Sequence, residues 1–164
     1  MKNTFFSLII AAGLVSVSIG AKAANEKPGT PYVSPEAEGA IYSEFPSAKN
    51  ISWADDEWDV YSAYFTQPNG NRMIATVDDD GNVLSVLTYY GAAHVPVRLR
   101  PLLEKAYPGK TITAVTRFEQ DYSVGMEGSV PDVSYQVTLE DEGHWYVATV
   151  EGNSVHTTQT LDKE

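Results

Sequence analysis

The stretch from Arg72 to Tyr90, with Asp80-Gly81 at its centre, constrains this chain more than any other because it is a β-hairpin specified by its own turn. Aspartate followed by glycine supplies two positive-φ residues for a type I′ loop, whose twist matches that of the flanking strands. That loop sets Val77 against Leu84, Ala75 against Val86 and Met73 against Thr88, all on one sheet face. Further along, Ala148-Thr149-Val150-Glu151-Gly152-Asn153 echoes Ala75-Thr76-Val77-Asp78 and its turn, which divides the chain into two similar stretches, 34–91 and 92–164.

Ahead of them, Lys2, an apolar run from Phe5 to Ile19 and the exit Ala21-Lys22-Ala23 have the layout of a secretory signal peptide, residues 1–23. Ser7, Ser16 and Ser18 interrupt the run, which is short for a membrane span, so an uncleaved anchor is the weaker reading. Cleavage implies a periplasmic or secreted protein with no membrane insertion afterwards. It also removes Lys2 and Lys22 from only 11 bases, set against 22 acids, and so large an acidic excess argues against nucleic acid as a partner. The chain has no cysteine, which rules out disulfides and thiolate metal sites, so packing alone must hold it together.

Residues 24–33, with Pro28, Gly29 and Pro31, read as a linker. Ser34 then caps a helix in which Pro35 suits the first position, Glu36 and Glu38 favour the positive end of the dipole, and Ala37, Ile41 and Phe45 make one apolar stripe. Strands are expected at Ile51–Trp53 and Trp58–Thr66. The loop Pro68-Asn69-Gly70 makes a three-residue hairpin that opposes Phe65 to Met73, Ala63 to Ala75 and Tyr61 to Val77. The core face thus gathers Tyr61, Ala63, Phe65, Met73, Ala75, Val77, Leu84 and Val86. Tyr64, Ile74, Leu87, Arg72 and Tyr89 fall on the opposite face.

A second helix is expected over Pro96–Tyr107, with Leu99, Leu102 or Leu103, and Ala106 at helical spacing. Pro101 requires either a start near Leu99 or a kink. Ile112–Phe118 follows as a strand, Glu119–Asp132 as an inserted loop, and then strands Val133–Glu140, His144–Glu151 and Ser154–Leu161. Two-residue turns at Glu142-Gly143 and Gly152-Asn153 pair Leu139 with Tyr146, Val137 with Ala148, Tyr135 with Val150, Val150 with Val155 and His156 with Thr149, and set Trp145 beside Glu140 and Thr160 on the open face. The fold class that results is α+β, a tandem duplication of a two-layer unit of one helix and a four-stranded antiparallel sheet.

Phe45-Pro46, Ile51-Ser52-Trp53, Asp78-Asp79-Asp80-Gly81, Val95-Pro96 and Tyr107-Pro108 give this chain an order of signals that resembles the secreted bacterial PepSY-like family, related in fold to the β-lactamase inhibitor protein. The resemblance runs from about Ser34 to the end. It implies a BLIP-like arrangement of α-β4 units and a non-enzymatic extracytoplasmic role. The inhibitor relative grips an enzyme with its exposed sheet face, but no motif residue here identifies equivalent contacts.

Chemistry-bearing patterns are weak by comparison. An EF-hand register through Gly81 puts Thr76 at the first ligand position and Leu87 at the twelfth, neither of which can serve, so the acidic turn reads as a solvated hairpin tip. His94, His144 and His156 have no metal-ligand spacing, and nucleophile elbows and phosphate loops are absent. No cofactor is implied. Aromatic side chains on an open sheet face are a stronger signal, since tyrosine and tryptophan dominate interface anchors. The candidate partner-binding residues are therefore Trp58, Tyr64, Arg72, Ile74, Leu87, Tyr89 and Trp145. They suggest a protein-binding module, with inhibition of a secreted or periplasmic enzyme as its sharpest form. A homodimer and a structural or sensing module for a small molecule, polysaccharide or cation are the alternatives.

Overall fold

A computed structural model describes residues 31–55, 59–120 and 132–164. The signal peptide, most of the linker, Trp58 and the body of the inserted loop lie outside the described residues. The elements run α1 (Pro35–Glu44), β1 (Lys49–Asp55), β2 (Val60–Thr66), β3 (Arg72–Asp78), β4 (Val83–Gly91), a single 3-10 turn (Ala92–His94), α2 (Leu99–Ala106), β5 (Thr111–Gln120), β6 (Asp132–Glu140), β7 (His144–Glu151) and β8 (Ser154–Asp162).

The expected tandem pair of helix-plus-four-strand units is not what forms. All eight strands make one antiparallel sheet in the order β1 to β8, and two short helices lie on it. The join is a full ladder, with β4 paired to β5 from Ser85↔Gln120 to Gly91↔Ala114. A boundary at residue 91 would have left the edges of β4 and β5 with unpaired backbone groups, and pairing them to each other satisfies both. Glu119, Gln120 and Asp132 consequently belong to strands and not to a loop.

The three hairpins whose turns need few residues adopt the expected registers. Phe65↔Met73, Ala63↔Ala75 and Tyr61↔Val77 close around Gly70 at φ +85°, and Leu139↔Tyr146 and Val150↔Val155 close the other two. The Asp80-Gly81 turn differs. The Gly81 N–H bonds to the Asp78 carbonyl and the Asp78 carboxylate accepts from the Asn82 N–H at 2.7 Å, so the loop holds three residues and only Gly81 takes positive φ. Val77 therefore faces Val83 and not Leu84, with a bulge beside it, and Val83 takes the core position at 1% exposure. A bulge between Val147 and Ala148 likewise brings Leu161, not Thr160, beside Trp145.

Ser34 caps α1 as its residue type requires, accepting from the Ala37 N–H at 3.1 Å while donating to the Asp79 carbonyl at 2.8 Å. Tyr61 donates to the Asp79 carboxylate at 3.0 Å. The hairpin tip is thus fastened to the start of α1, which lays Ala37, Ile41 and Phe45 on Tyr61, Ala63, Phe65, Met73, Ala75, Val77, Val83 and Val86. Helix α2 begins at Leu99, so Pro101 falls in its first turn, where no bond is lost. It buries Leu99, Leu103 and the following Tyr107 on Val115, Tyr135, Val137, Leu139, Ala148 and Val150, whereas Ala106 is exposed.

Strand alternation puts both cores on the same sheet face, separated by a polar seam. Buried Thr88 and Glu119 lie in it, and an Arg117 guanidinium nitrogen sits 2.6 Å from the Glu119 carboxylate. Burial raises the Glu119 carboxyl above its ordinary range, and Arg117 opposes that shift.

Candidate functional site

The face turned away from the helices is built in cross-strand rows. One row runs Ser52, Tyr64, Ile74, Leu87, Phe118, Ser134 from β1 to β6, and the next runs Lys49, Thr66, Arg72, Tyr89, Thr116, Gln136. The first row places four large apolar or aromatic side chains on four adjacent strands. Tyr64 is 42% exposed, while Ile74, Leu87 and Phe118 are half-buried against one another with no helix above them. Phe118 belongs to the patch although the sequence reading did not include it. Its parity with Thr116 on β5 was the available signal, but no short turn fixes the β4–β5 register.

At the β1 end the face is hollowed. A bulge between Lys49 and Ser52, with Asn50 at φ +56°, breaks the ladder and leaves a depression of about 470 Å³. Asn50, Ser52 and Thr66 are among the residues lining it, together with Tyr64, Arg72, Ile74 and Tyr89. The Arg72 guanidinium stands over the Tyr89 ring at 5.9 Å and makes no ion pair among the described residues.

Tyr64, Arg72, Ile74, Leu87 and Tyr89 are therefore contiguous. Trp145 is not. It pairs with Glu140 and Leu161 near the far edge, where the Lys163 ammonium covers its ring at 4.6 Å and binds the Glu140 carboxylate at 2.8 Å.

A second polar cluster lies at the β6–β7 turn. The Asp141 carboxylate accepts from the Gly143 and His144 N–H groups at 2.9 and 2.8 Å, from the Tyr146 hydroxyl at 2.9 Å and from the Lys110 ammonium. Lys110, then Tyr146, hold its carboxyl well below the usual carboxylate range. A carboxylate so fully satisfied is a poor proton acceptor at neutral pH, and its role is to pin the turn. Its stabilisation is complete above the ordinary carboxylate pKa of about 4 and is lost as pH falls through the lower folded value. Asp141→Asn is accordingly expected to lower the neutral-pH unfolding midpoint and to flatten its decline on acidification. Urea melts from pH 6 downward check this, and an unchanged acid slope would contradict it.

No family model matches the chain, and no curated protein does. The PepSY-like likeness therefore has no counterpart in these comparisons. Solved structures share the fold. A BLIP-like protein of Bacteroides fragilis aligns with a TM-score of 0.57 at 16% identity, covering 82% of this chain and 89% of that one. A DUF2874 family protein of Bacteroides ovatus gives 0.57 at 13% identity over 80% and 89% of the two chains. A protein of Bacteroides eggerthii with a provisional periplasmic designation gives 0.55 at 14% over 80% and 90%. Among the described residues no helix is long and apolar enough to cross a membrane.

Proposed function

We propose that this chain is an extracytoplasmic, non-enzymatic protein-binding module that grips its partner with the open sheet face, and that the partner is a secreted or periplasmic enzyme held in an inhibited state. The observation that carries the reading is the row Tyr64–Ile74–Leu87–Phe118, an apolar ladder across four neighbouring strands that neither helix covers. Contiguous apolar side chains left uncovered on neighbouring strands often mark a contact site. Likeness in fold to a BLIP-like protein and to one designated periplasmic supports the same reading.

The residues that would sit in the equivalent row nearer α2, Thr138 and Val147 with Gln159, are mostly polar, so sheet propensity alone does not account for the apolar row. The test is a protein with both Tyr64→Ser and Leu87→Ser. Its partner is first identified by crosslinking the wild type in an envelope fraction, then purified, and its affinity measured for both proteins. The expected result is a cooperative melt within about 2 kcal/mol of wild type together with a loss of affinity of roughly thirtyfold or more. Retained affinity would discard the open-face reading, and a collapsed melt would show these side chains to be core.

A further inference from the structure

The charge map of the open face deepens that reading and rests on it. The protein has 22 acids against 11 bases. Yet the two rows through Tyr64 and Arg72, followed from β1 to β6, contain no acid at all. Their only charged members are Lys49 and Arg72. Among the described residues the nearest acids on this face, Asp78, Asp132 and Glu151, stand at strand ends or beyond β6. Among the described residues this acidic protein thus presents a cationic, acid-free field centred on the hollow beside β1.

Within the hollow Arg72 is presented for recognition. It is exposed, its guanidinium is supported by the Tyr89 ring, and among the described residues no carboxylate neutralises it. Asn50, Ser52 and Thr66 border it with groups that accept or donate hydrogen bonds. A planar guanidinium held over an aromatic ring is suited to bidentate capture of a carboxylate. The apolar row begins one step away, since Ile74 is two residues from Arg72 on β3 and same-face neighbours along a strand are about 7 Å apart.

We infer that the partner presents a carboxylate to Arg72 next to an apolar side chain that lies on Tyr64, Ile74 and Leu87: an acidic side chain or chain terminus flanked by a hydrophobic residue, captured on an acid-free cationic field. A second copy of this acidic chain would need one of its own carboxylates placed this way, and that is an outcome the test detects.

The probe is a random linear peptide library panned against immobilised protein, with selected peptides measured individually against variants. Binders are expected to carry Asp, Glu or a free C-terminal carboxylate beside an apolar residue and to weaken as salt rises. Arg72→Gln is expected to weaken them tenfold to a hundredfold, on the order of one charged hydrogen-bonding contact, and Arg72→Lys less. Lys105→Gln on α2, a control outside this face, should change nothing. Binders that lack a carboxylate, or that bind Arg72→Gln as well as wild type while still failing on the Tyr64→Ser and Leu87→Ser protein, overturn this inference and leave the open-face reading standing. Binders indifferent to both sets of changes, or no binders, overturn both. Concentration-dependent dimerisation abolished by Arg72→Gln would replace the foreign partner by a second copy.

Discussion

Gly81→Ala is expected to lower stability by about 3 kcal/mol, enough to lower the melting temperature by roughly 10 °C. Two costs combine at this position. Gly81 has φ +84°, a conformation that costs a residue with a side chain about 1–2 kcal/mol. An added Cβ would also stand 2.8 Å from the backbone carbonyl oxygen of Glu36 in the first turn of α1, where no flexible side chain can yield. Gly70 separates the two effects, since it has φ +85° with open space around its would-be Cβ. Gly70→Ala should therefore cost only the conformational part. The difference between the two melts measures how tightly the β3–β4 tip is pressed against α1. Equal losses would mean that the tip is not held there, and the Ser34–Asp79 and Tyr61–Asp79 bonds would then contribute little.

That turn also marks where sequence reasoning stopped short. An Asp-Gly pair announces a hairpin and a left-handed glycine, and both are present. Whether the loop holds two residues or three depends on the Asp78 carboxylate bonding to the Asn82 backbone at 2.7 Å and side chain at 2.9 Å, and on the close approach of α1. Both are interactions of the folded molecule, and the dipeptide is blind to them. The Pro68-Asn69-Gly70 loop read correctly because proline pre-sets its φ and glycine admits positive φ without steric cost, with no tertiary help.

Registers set by short turns were legible for the same reason, and with them most of the candidate site. Tyr64↔Ile74 follows directly from such a loop, whereas Ile74↔Leu87 keeps its expected register because the bulge between Thr76 and Val77 takes up the extra residue of the three-residue turn. The pairing of β4 with β5 was not legible. Residues 92–110 join them through a 3-10 turn and α2, a connection long enough to serve one continuous sheet or two separate ones. Phe118 was missed with that pairing, and so was the fusion of the sheet. Trp145 was assigned to the correct face, but alternation along a strand says nothing of distance across it, and a lysine near the C-terminus covers the ring.

The fused sheet makes a prediction that tandem units would not. Leu103 is 1% exposed at the centre of the α2 core, and Leu103→Ala should remove about 2–5 kcal/mol through lost burial and the cavity left behind. If the β4–β5 ladder couples the two cores, that loss is shared by residues that never touch Leu103. Trp53 reports the α1 core, against which it packs, and a protein carrying Trp58→Phe and Trp145→Phe retains it as the sole indole. Releasing β5–β8 while β1–β4 stayed folded would strip every backbone partner from the β5-facing edge of β4 between Ser85 and Gly91, and would expose Val86 and Thr88 along the seam. Each unsatisfied or newly exposed group disfavours that intermediate. Leu103→Ala should therefore shift the Trp53 fluorescence transition in urea to the same lower midpoint as the far-ultraviolet circular dichroism transition, with one slope for both. A Trp53 transition left at its original midpoint while the circular dichroism signal splits in two would show that the α1 core stands alone and that the β4–β5 ladder joins the sheet without binding its stability into one unit.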